Sequence, residues 1–219
     1  MHKIIENNQN RRDTLDPDKS LCDIRIPDTY LRIRRIFELA LIIIAMPAIL
    51  PVFGIIYIAL LLGQRSNPIF RQKRPGKDQQ PFIIYKFRSM RPLSKIGHKY
   101  HFDRERVHSL GKFLRKTRLD ELPQLINVLK GDMSLIGPRP EPMAYYLDCV
   151  RNIPYFECRY IIRPGISGWA QVNYEHTDDV EHAREKLKFD FYYLNNISPA
   201  LDLKIFFLTF WVMLMARGR

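Results

Sequence analysis

The sequence has few of the features that build disulfide-stapled, metal-clustered or repeat proteins. Its three cysteines (Cys22, Cys149 and Cys158) are odd in number and widely spaced. They match neither a disulfide framework nor a zinc pattern, which predicts a reducing compartment. The six histidines (His2, His98, His101, His108, His176 and His182) lack ligand spacing, and His98 with His101 reads as solvated loop. No internal repeat and no recognised nucleic-acid motif occurs. Acidic residues are scarce: 23 Asp and Glu face 35 Lys and Arg, for a net charge of +12 and a pI near 9.7. Such a surplus calls for anionic partners. Because the basic residues are tied to apolar segments, those partners are an anionic leaflet or phosphorylated substrates rather than nucleic acid.

Charge is missing altogether from residues 39–64 (LALIIIAMPAILPVFGIIYIALLLGQ). As a helix this run extends about 39 Å, more than the roughly 30 Å of a bilayer's hydrocarbon core. It starts too late, runs too long and lacks the cleavage pattern of a signal peptide. Pro47 and Pro51 fall inside it, and each removes a donor and clashes with the carbonyl four residues earlier. Arg32, Arg34 and Arg35 precede the run, and Arg65, Arg71, Lys73 and Arg74 follow it. The positive-inside tendency therefore puts both ends on the cytoplasmic face. A re-entrant hairpin broken near Pro47 to Pro51 meets these constraints better than a kinked span or a soluble core helix. Near the C-terminus Ser198 and Pro199 open a second apolar helix. Its run IFFLTFWVMLMA covers about 18 Å, too short to span. With Trp211 inside and Arg217 and Arg219 at its end it reads as an interfacial amphipathic helix, the alternative being a packed core helix.

A chain of 219 residues with 46% apolar content can bury one good core. The expected fold is α/β with mostly helical content. It has a polar extension at 1–28, the re-entrant membrane helix at 29–66, a small cytosolic domain at 67–198 and the interfacial helix at 199–219. Within the domain Pro81 to Met90 reads as a strand or short extended pair carrying Lys86 and Arg88 outward. Residues 93–108 read as a mobile polar loop, and helices are expected at about 108–117, 120–130 and 140–150. The stretch from Arg163 to Trp169 (RPGISGW) is expected to be a tight loop, and residues 178–196 an amphipathic helix.

The richest segment is Thr117-Arg118-Leu119-Asp120-Glu121-Leu122-Pro123-Gln124, followed by Gly131-Asp132-Met133-Ser134 and Pro138-Arg139-Pro140. Three carboxylates lie here among Lys112, Arg115, Lys116, Arg118 and Lys130. Carboxylates can supply a nucleophile and a metal site while the cations offset their repulsion of a phosphorylated substrate. Proline is tolerated only in a helix's first turn, so Pro123 puts Asp120 near the N-cap of a helix ending before Gly131, where anions are favoured. An ordinary capped helix with solvated charges fits the same spacing.

Taken together, the segments resemble the bacterial sugar transferases, the monotopic phosphoglycosyl transferases that start glycan assembly on a polyprenol phosphate. The resemblance runs from about Leu31 to the C-terminus. It is carried by Arg35-Ile36-Phe37, by Ile69-Phe70-Arg71-Gln72-Lys73-Arg74-Pro75-Gly76 and by Tyr85-Lys86-Phe87-Arg88-Ser89-Met90. It continues through the Leu119–Gln124 acid segment, Asn127-Val128-Leu129-Lys130-Gly131-Asp132-Met133-Ser134 and Gly137-Pro138-Arg139-Pro140. Arg163-Pro164-Gly165-Ile166-Ser167-Gly168-Trp169-Ala170-Gln171-Val172-Asn173 and Asp202-Leu203-Lys204-Ile205 complete it. Any one of these motifs is weak, but in collinear order they are specific.

The resemblance implies transfer of a sugar-1-phosphate from a UDP-sugar to a polyprenol phosphate, through a covalent aspartyl-phosphosugar and with release of UMP. It implies Asp120 as nucleophile and Glu121 as the acid associated with Mg²⁺, the metal set being Asp120, Glu121 and Asp132. Lys86, Arg88, Arg139 and Arg163 are the candidate phosphate and nucleotide contacts. The expected location is the cytoplasmic leaflet of a bacterial inner membrane, against anionic lipid, with the catalytic domain in the cytosol and a homodimer left open. Relatives often carry Ser-Pro at the hairpin break. Here Leu50 precedes Pro51 and Pro47 is additional, so neither Leu50 nor Met46 can donate to a freed carbonyl. Larger members add transmembrane helices before this domain, and the chain is expected to be the minimal catalytic form. The competing class is a non-catalytic basic protein that binds the membrane surface.

Overall fold

The computed structural model describes residues 22, 24–63, 67–90, 106–174 and 180–214. The expectations for residues 1–21 and for most of the 93–108 loop lie outside them. The charge-free run forms one helix, α1 (Asp28–Gly63), with Pro47 and Pro51 inside it. The expected interruption by non-helical residues is therefore absent. A proline deletes one backbone hydrogen bond, and the intact turns on either side keep a long helix continuous through it. By length and composition α1 is able to cross a membrane, and only 11% of its most apolar stretch is buried. Ile43, Ile44, Leu50, Ile55, Ile58 and Leu62 all face outward. A core helix of a soluble protein buries such side chains, so α1 is a membrane-associated helix.

Past α1 the chain forms a mostly helical domain with two small sheets. Strands β1 (Ile69–Pro75) and β2 (Pro81–Phe87) pair antiparallel, with Ile69 opposite Phe87 and Pro75 opposite Pro81. Helix α2 (Ser109–Lys116) leads through a 3₁₀ turn at Leu119–Glu121 into α3 (Gln124–Lys130). Gly131 ends α3 at φ 89°, a left-handed conformation that glycine adopts without a Cβ penalty. Strand β3 (Ser134–Ile136) then pairs parallel with β4 (Gly165–Ser167), and α4 (Met143–Asn152) and a 3₁₀ turn (Phe156–Tyr160) lie between them in sequence. Helices α5 (Trp169–Asn173), α6 (Val180–Asn195) and α7 (Pro199–Leu214) complete the chain.

The segment expected as a tight loop, Arg163 to Trp169, thus contains a strand. Its glycines are required by close approach: a Cβ on Gly165 would collide with the amide of Gly137, and one on Gly168 with the Gly137 carbonyl. The backbone leading into Pro138-Arg139-Pro140 is thereby laid directly against β4.

Two stretches of α1 pack on the domain. Ile42 joins Ile84, Val128 and Met133, while Ile56 and Leu60 join Phe87 and Leu114. Each such side chain removed from water contributes about 1.5–3 kcal/mol. A buried polar joint adds register. Arg34 donates to Glu38 (Nε–Oε1 3.2 Å), to Tyr193 (2.8 Å), to Ser134 Oγ (2.8 Å) and to the Ile136 carbonyl. Glu38 Oε1 also accepts from Ser134 (2.6 Å) and from the Leu135 amide (3.1 Å). Tyr193 and Tyr30 both donate to Asp202 at 2.6 Å, which ties in α7. Helix α7 buries Ile205 but exposes Leu203, Phe207, Phe210 and Trp211. Finally, the structure joins Cys22 to Cys158, with Cα atoms 5.1 Å apart, and leaves Cys149 free and buried. This corrects the cysteine reading: the two lie 136 residues apart, a pairing that no spacing rule reveals.

Candidate active site

Pro123 decides the local geometry. It has no N–H to donate to the Leu119 carbonyl, so the α ladder cannot begin at Asp120. The Leu122 amide takes that carbonyl instead (3.2 Å), making the 3₁₀ turn, and α3 starts only at Gln124. Asp120 therefore sits one turn upstream of the helix and not at its N-cap as expected. Arg118 enters the turn in the left-handed region, at φ 56°, a strained conformation for a long side chain.

The turn sends its two acids into different surroundings. Glu121 is buried, and its Oε1 accepts from Arg139 Nη2 at 2.9 Å and from Lys86 Nζ at 3.0 Å. Burial by itself raises a carboxyl's pKa, but Arg139, Lys86 and Arg118 outweigh it and hold Glu121 well below the usual range. Asp120 makes no hydrogen bond to any described residue. Its pKa is pushed up to about 6, first by burial and then by the Glu121 charge, against the pull of Lys86, Arg115 and Arg139. Lys86 is brought down to about 8, mainly by burial, with Arg139 and Arg74 adding to the shift and Glu121 opposing it. Arg118 is lowered by burial in the same place. The two carboxylates have thus been driven apart, one locked as an anion and one kept more basic, the division expected where two acids have different tasks.

Of the sequence-predicted residues, Asp120, Glu121, Lys86 and Arg139 come together. Arg88 and Arg163 are engaged elsewhere. Arg88 Nε donates to the Asn67 carbonyl (2.8 Å), bracing the start of the hairpin. Arg163 Nε donates to the Gly131 carbonyl (2.7 Å), closing the end of α3. Asp132 accepts from Asn127 Nδ2 at 3.1 Å, and Asn127 itself bridges to β2 through the Ile83 carbonyl and the Tyr85 amide. Among the described residues no group of three His, Cys, Asp or Glu stands together as a metal site. The three-acid set is thus reduced to the Asp120–Glu121 pair. That pair fits Mg²⁺: one carboxylate is unpartnered and the other has only one oxygen committed, a donor set such an ion completes with phosphate oxygens and water.

Sequence reasoning missed Arg74, Glu141, Arg159, Tyr160 and Asp190, which pack behind Arg139. Arg74 is brought down to about 10, chiefly by burial, and Glu141 is held low because Arg159, Lys186, Arg139 and Arg74 outweigh its burial. Glu141 directly follows Pro-Arg-Pro and was the one legible member. The others lie far off in sequence and follow no pattern.

The family model described as bacterial sugar transferase matches residues 29–216. The chain belongs to the bacterial sugar transferase family. Among similar family members, the UDP-N-acetylgalactosamine-undecaprenyl-phosphate N-acetylgalactosaminephosphotransferase of Aeromonas hydrophila is 43% identical over 86% of this chain and 45% of its own length. The UDP-glucose:undecaprenyl-phosphate glucose-1-phosphate transferase of Escherichia coli (strain K12) is 39% identical over 88% of this chain and 42% of its own. An uncharacterised sugar transferase of Bacillus subtilis (strain 168) is 37% identical over 85% and 89%. The chain thus spans less than half the length of the first two and most of the third.

Proposed function

We propose that the chain is a phosphoglycosyl transferase that moves a sugar-1-phosphate from a UDP-sugar to undecaprenyl phosphate or a similar polyprenol phosphate. The observation that carries this is the Asp120 carboxylate: unpartnered, pushed up to about 6, and set among Lys86, Arg115 and Arg139 beside a locked Glu121. Binding an anionic diphosphate there offsets the cations. An Asp120 oxygen attacks the phosphorus that bears the sugar, the bridging P–O bond breaks, and UMP leaves with the bonding electrons. A phosphate oxygen of the polyprenol phosphate then attacks the same phosphorus and displaces Asp120 as carboxylate. The products are a polyprenol diphosphate-linked sugar and free enzyme. A carboxylate suits both halves, being nucleophile in the first and leaving group in the second. Lys86 and Arg139 orient the phosphoryl oxygens and stabilise charge that develops on them. Glu121, with Asp120, would hold Mg²⁺, which when bound neutralises diphosphate charge. The relatives' names divide between N-acetylgalactosamine and glucose, so the donor is proposed as a class.

The same reading places the site just above the cytoplasmic leaflet of the bacterial inner membrane, where a cytosolic UDP-sugar and a headgroup-level lipid phosphate can meet. Ile42 near one end of the apolar run and Leu60 near the other pack on one domain. That supports an α1 which enters and leaves the membrane on one side, bending at Pro47 and Pro51, with Leu203, Phe207, Phe210 and Trp211 of α7 lying in the interface. The basic flanks carry the cytosolic assignment, since cysteine usage no longer does. In a background with the native cysteines replaced, cysteines at residues 10 and 180 should both be labelled only from the cytoplasmic side. Labelling of residue 10 from outside intact cells would establish a spanning helix. For the chemistry, incubation with UDP-sugar alone should release UMP and leave a phosphosugar mass on the Asp120 peptide. Turnover without that adduct, or an adduct on another residue, removes Asp120 as nucleophile.

A further inference from the structure

Pro138-Arg139-Pro140 is an awkward place to keep a guanidinium that must be aimed. Two of its three residues have no N–H, and residues 138–142 belong to no helix or strand. Backbone hydrogen bonds cannot hold such a segment, and side chains do so instead. The Arg139 carbonyl accepts from Arg159 Nη2 and from the Tyr160 hydroxyl, each at 3.3 Å. The Pro140 carbonyl accepts from Arg74 Nη1 at 2.8 Å. The Glu141 amide donates to the Tyr160 hydroxyl at 3.2 Å, so this one oxygen bridges both sides of Pro140. Arg159 is in turn held by Asp190 of α6 at 2.6 Å, with both side chains almost fully buried. A buried ion pair is a poor source of stability compared with apolar residues of the same volume. Its presence needs another reason, and its position beneath Arg139 supplies one.

We propose that the Arg159–Asp190 pair and the Tyr160 hydroxyl are positioning groups that aim Arg139 at Glu121 and at the transferring phosphoryl group. None of the three touches the substrate. They fix the Arg139 backbone from the side away from the site, so that its guanidinium meets Glu121 without reorganising. The inference rests on the phosphoglycosyl transferase reading, because it assigns these residues to the same reaction. Its signature is that their effect must pass through Arg139. With the Arg139 charge still present but loosely held, donor binding should change little while transition-state stabilisation drops, so the loss falls on kcat rather than KM.

The test is a set of double-mutant cycles read by UMP release from full-length protein in detergent or nanodiscs. Arg159→Met should lower kcat about 100-fold and Tyr160→Phe about tenfold, the scale on which misplacement of a catalytic group by about 1 Å acts. In an Arg139→Met background both should cost less than about threefold more, because their route of action is already gone. Tyr160→Phe keeps the ring that packs edge-on against Tyr146, so it remains informative should Arg159→Met fail to fold. Losses that multiply equally in both backgrounds would overturn the proposal, as would a Tyr160→Phe protein with unchanged kcat. A wild-type protein that releases no UMP would instead overturn the transferase reading itself.

Discussion

Two buried charge clusters in this protein are built from similar residues and treat them in opposite ways. At the joint between α1, β3 and α7, Arg34 is bonded by Glu38, Ser134, Tyr193 and a backbone carbonyl, and Glu38 Oε1 accepts from three donors. In the site, Glu121 is held just as firmly by Lys86 and Arg139, but the acid next to it, Asp120, has no hydrogen-bonding partner among the described residues. A satisfied network positions elements, whereas a cluster with one member left over has capacity for a substrate. The cost of leaving that member unpaired appears as its raised pKa.

The largest test of this contrast is Asp120→Asn. Removal of a nucleophile should lower turnover by at least about 10⁴-fold, with the fold intact by circular dichroism. Substantial activity in the Asn variant would show that the unpaired acid is not the reactive one. The mirror-image change, Glu38→Ala, should act on stability. It strips Arg34 of a buried carboxylate and should cost about 3–5 kcal/mol, read as a lower Tm or denaturant midpoint. A loss under about 1 kcal/mol would mean the joint is ornamental.

Glu121→Gln sits between the two. It should weaken the response to Mg²⁺ by about 10–100-fold in half-saturating concentration, the scale for groups that tune a metal. Undiminished wild-type rates in excess chelator would count against any metal role. Acidity should sharpen the picture further. Asp120 must be ionised to attack, so kcat/KM should fall about tenfold per pH unit below about 6. Above about 8, where Lys86 loses its charge and its hold on Glu121, the rate should decline again. Lys86→Arg should abolish that upper limb, and a profile unchanged by the substitution would assign the limb to another group.

The smallest effect concerns the sign of stability. The folded-state pKa of Asp120 lies above its ordinary value of 3.8, so the folded protein binds this proton more tightly than the unfolded chain. That contribution is fully present below about pH 4 and is lost as pH rises through about 6. Asp120→Asn should therefore raise Tm slightly at pH 7 and give no advantage at pH 4, a behaviour opposite to that of Glu38→Ala.

Much of this was legible in the residues taken alone. The length and neutrality of residues 39–64, the flanking cations, the helices after Ser109 and after Pro199, and the Asp120-Glu121-Leu122-Pro123 cluster all follow from spacing and from what proline and glycine permit. Those are local rules, and they act through the few residues on either side. Tertiary structure alone decided what lies far apart in sequence. It brought Lys86 and Arg139 to opposite sides of Glu121 and turned Arg88, Arg163 and Asp132 to backbone or amide partners. It paired Cys22 with Cys158, and it set Arg159 and Asp190 beneath a proline-bound arginine. A side chain's protonation and aim depend on the dielectric and the charges around it, which the folded chain assembles from distant positions. The sequence could therefore name the acids, but only packing could separate a locked Glu121 from a free Asp120.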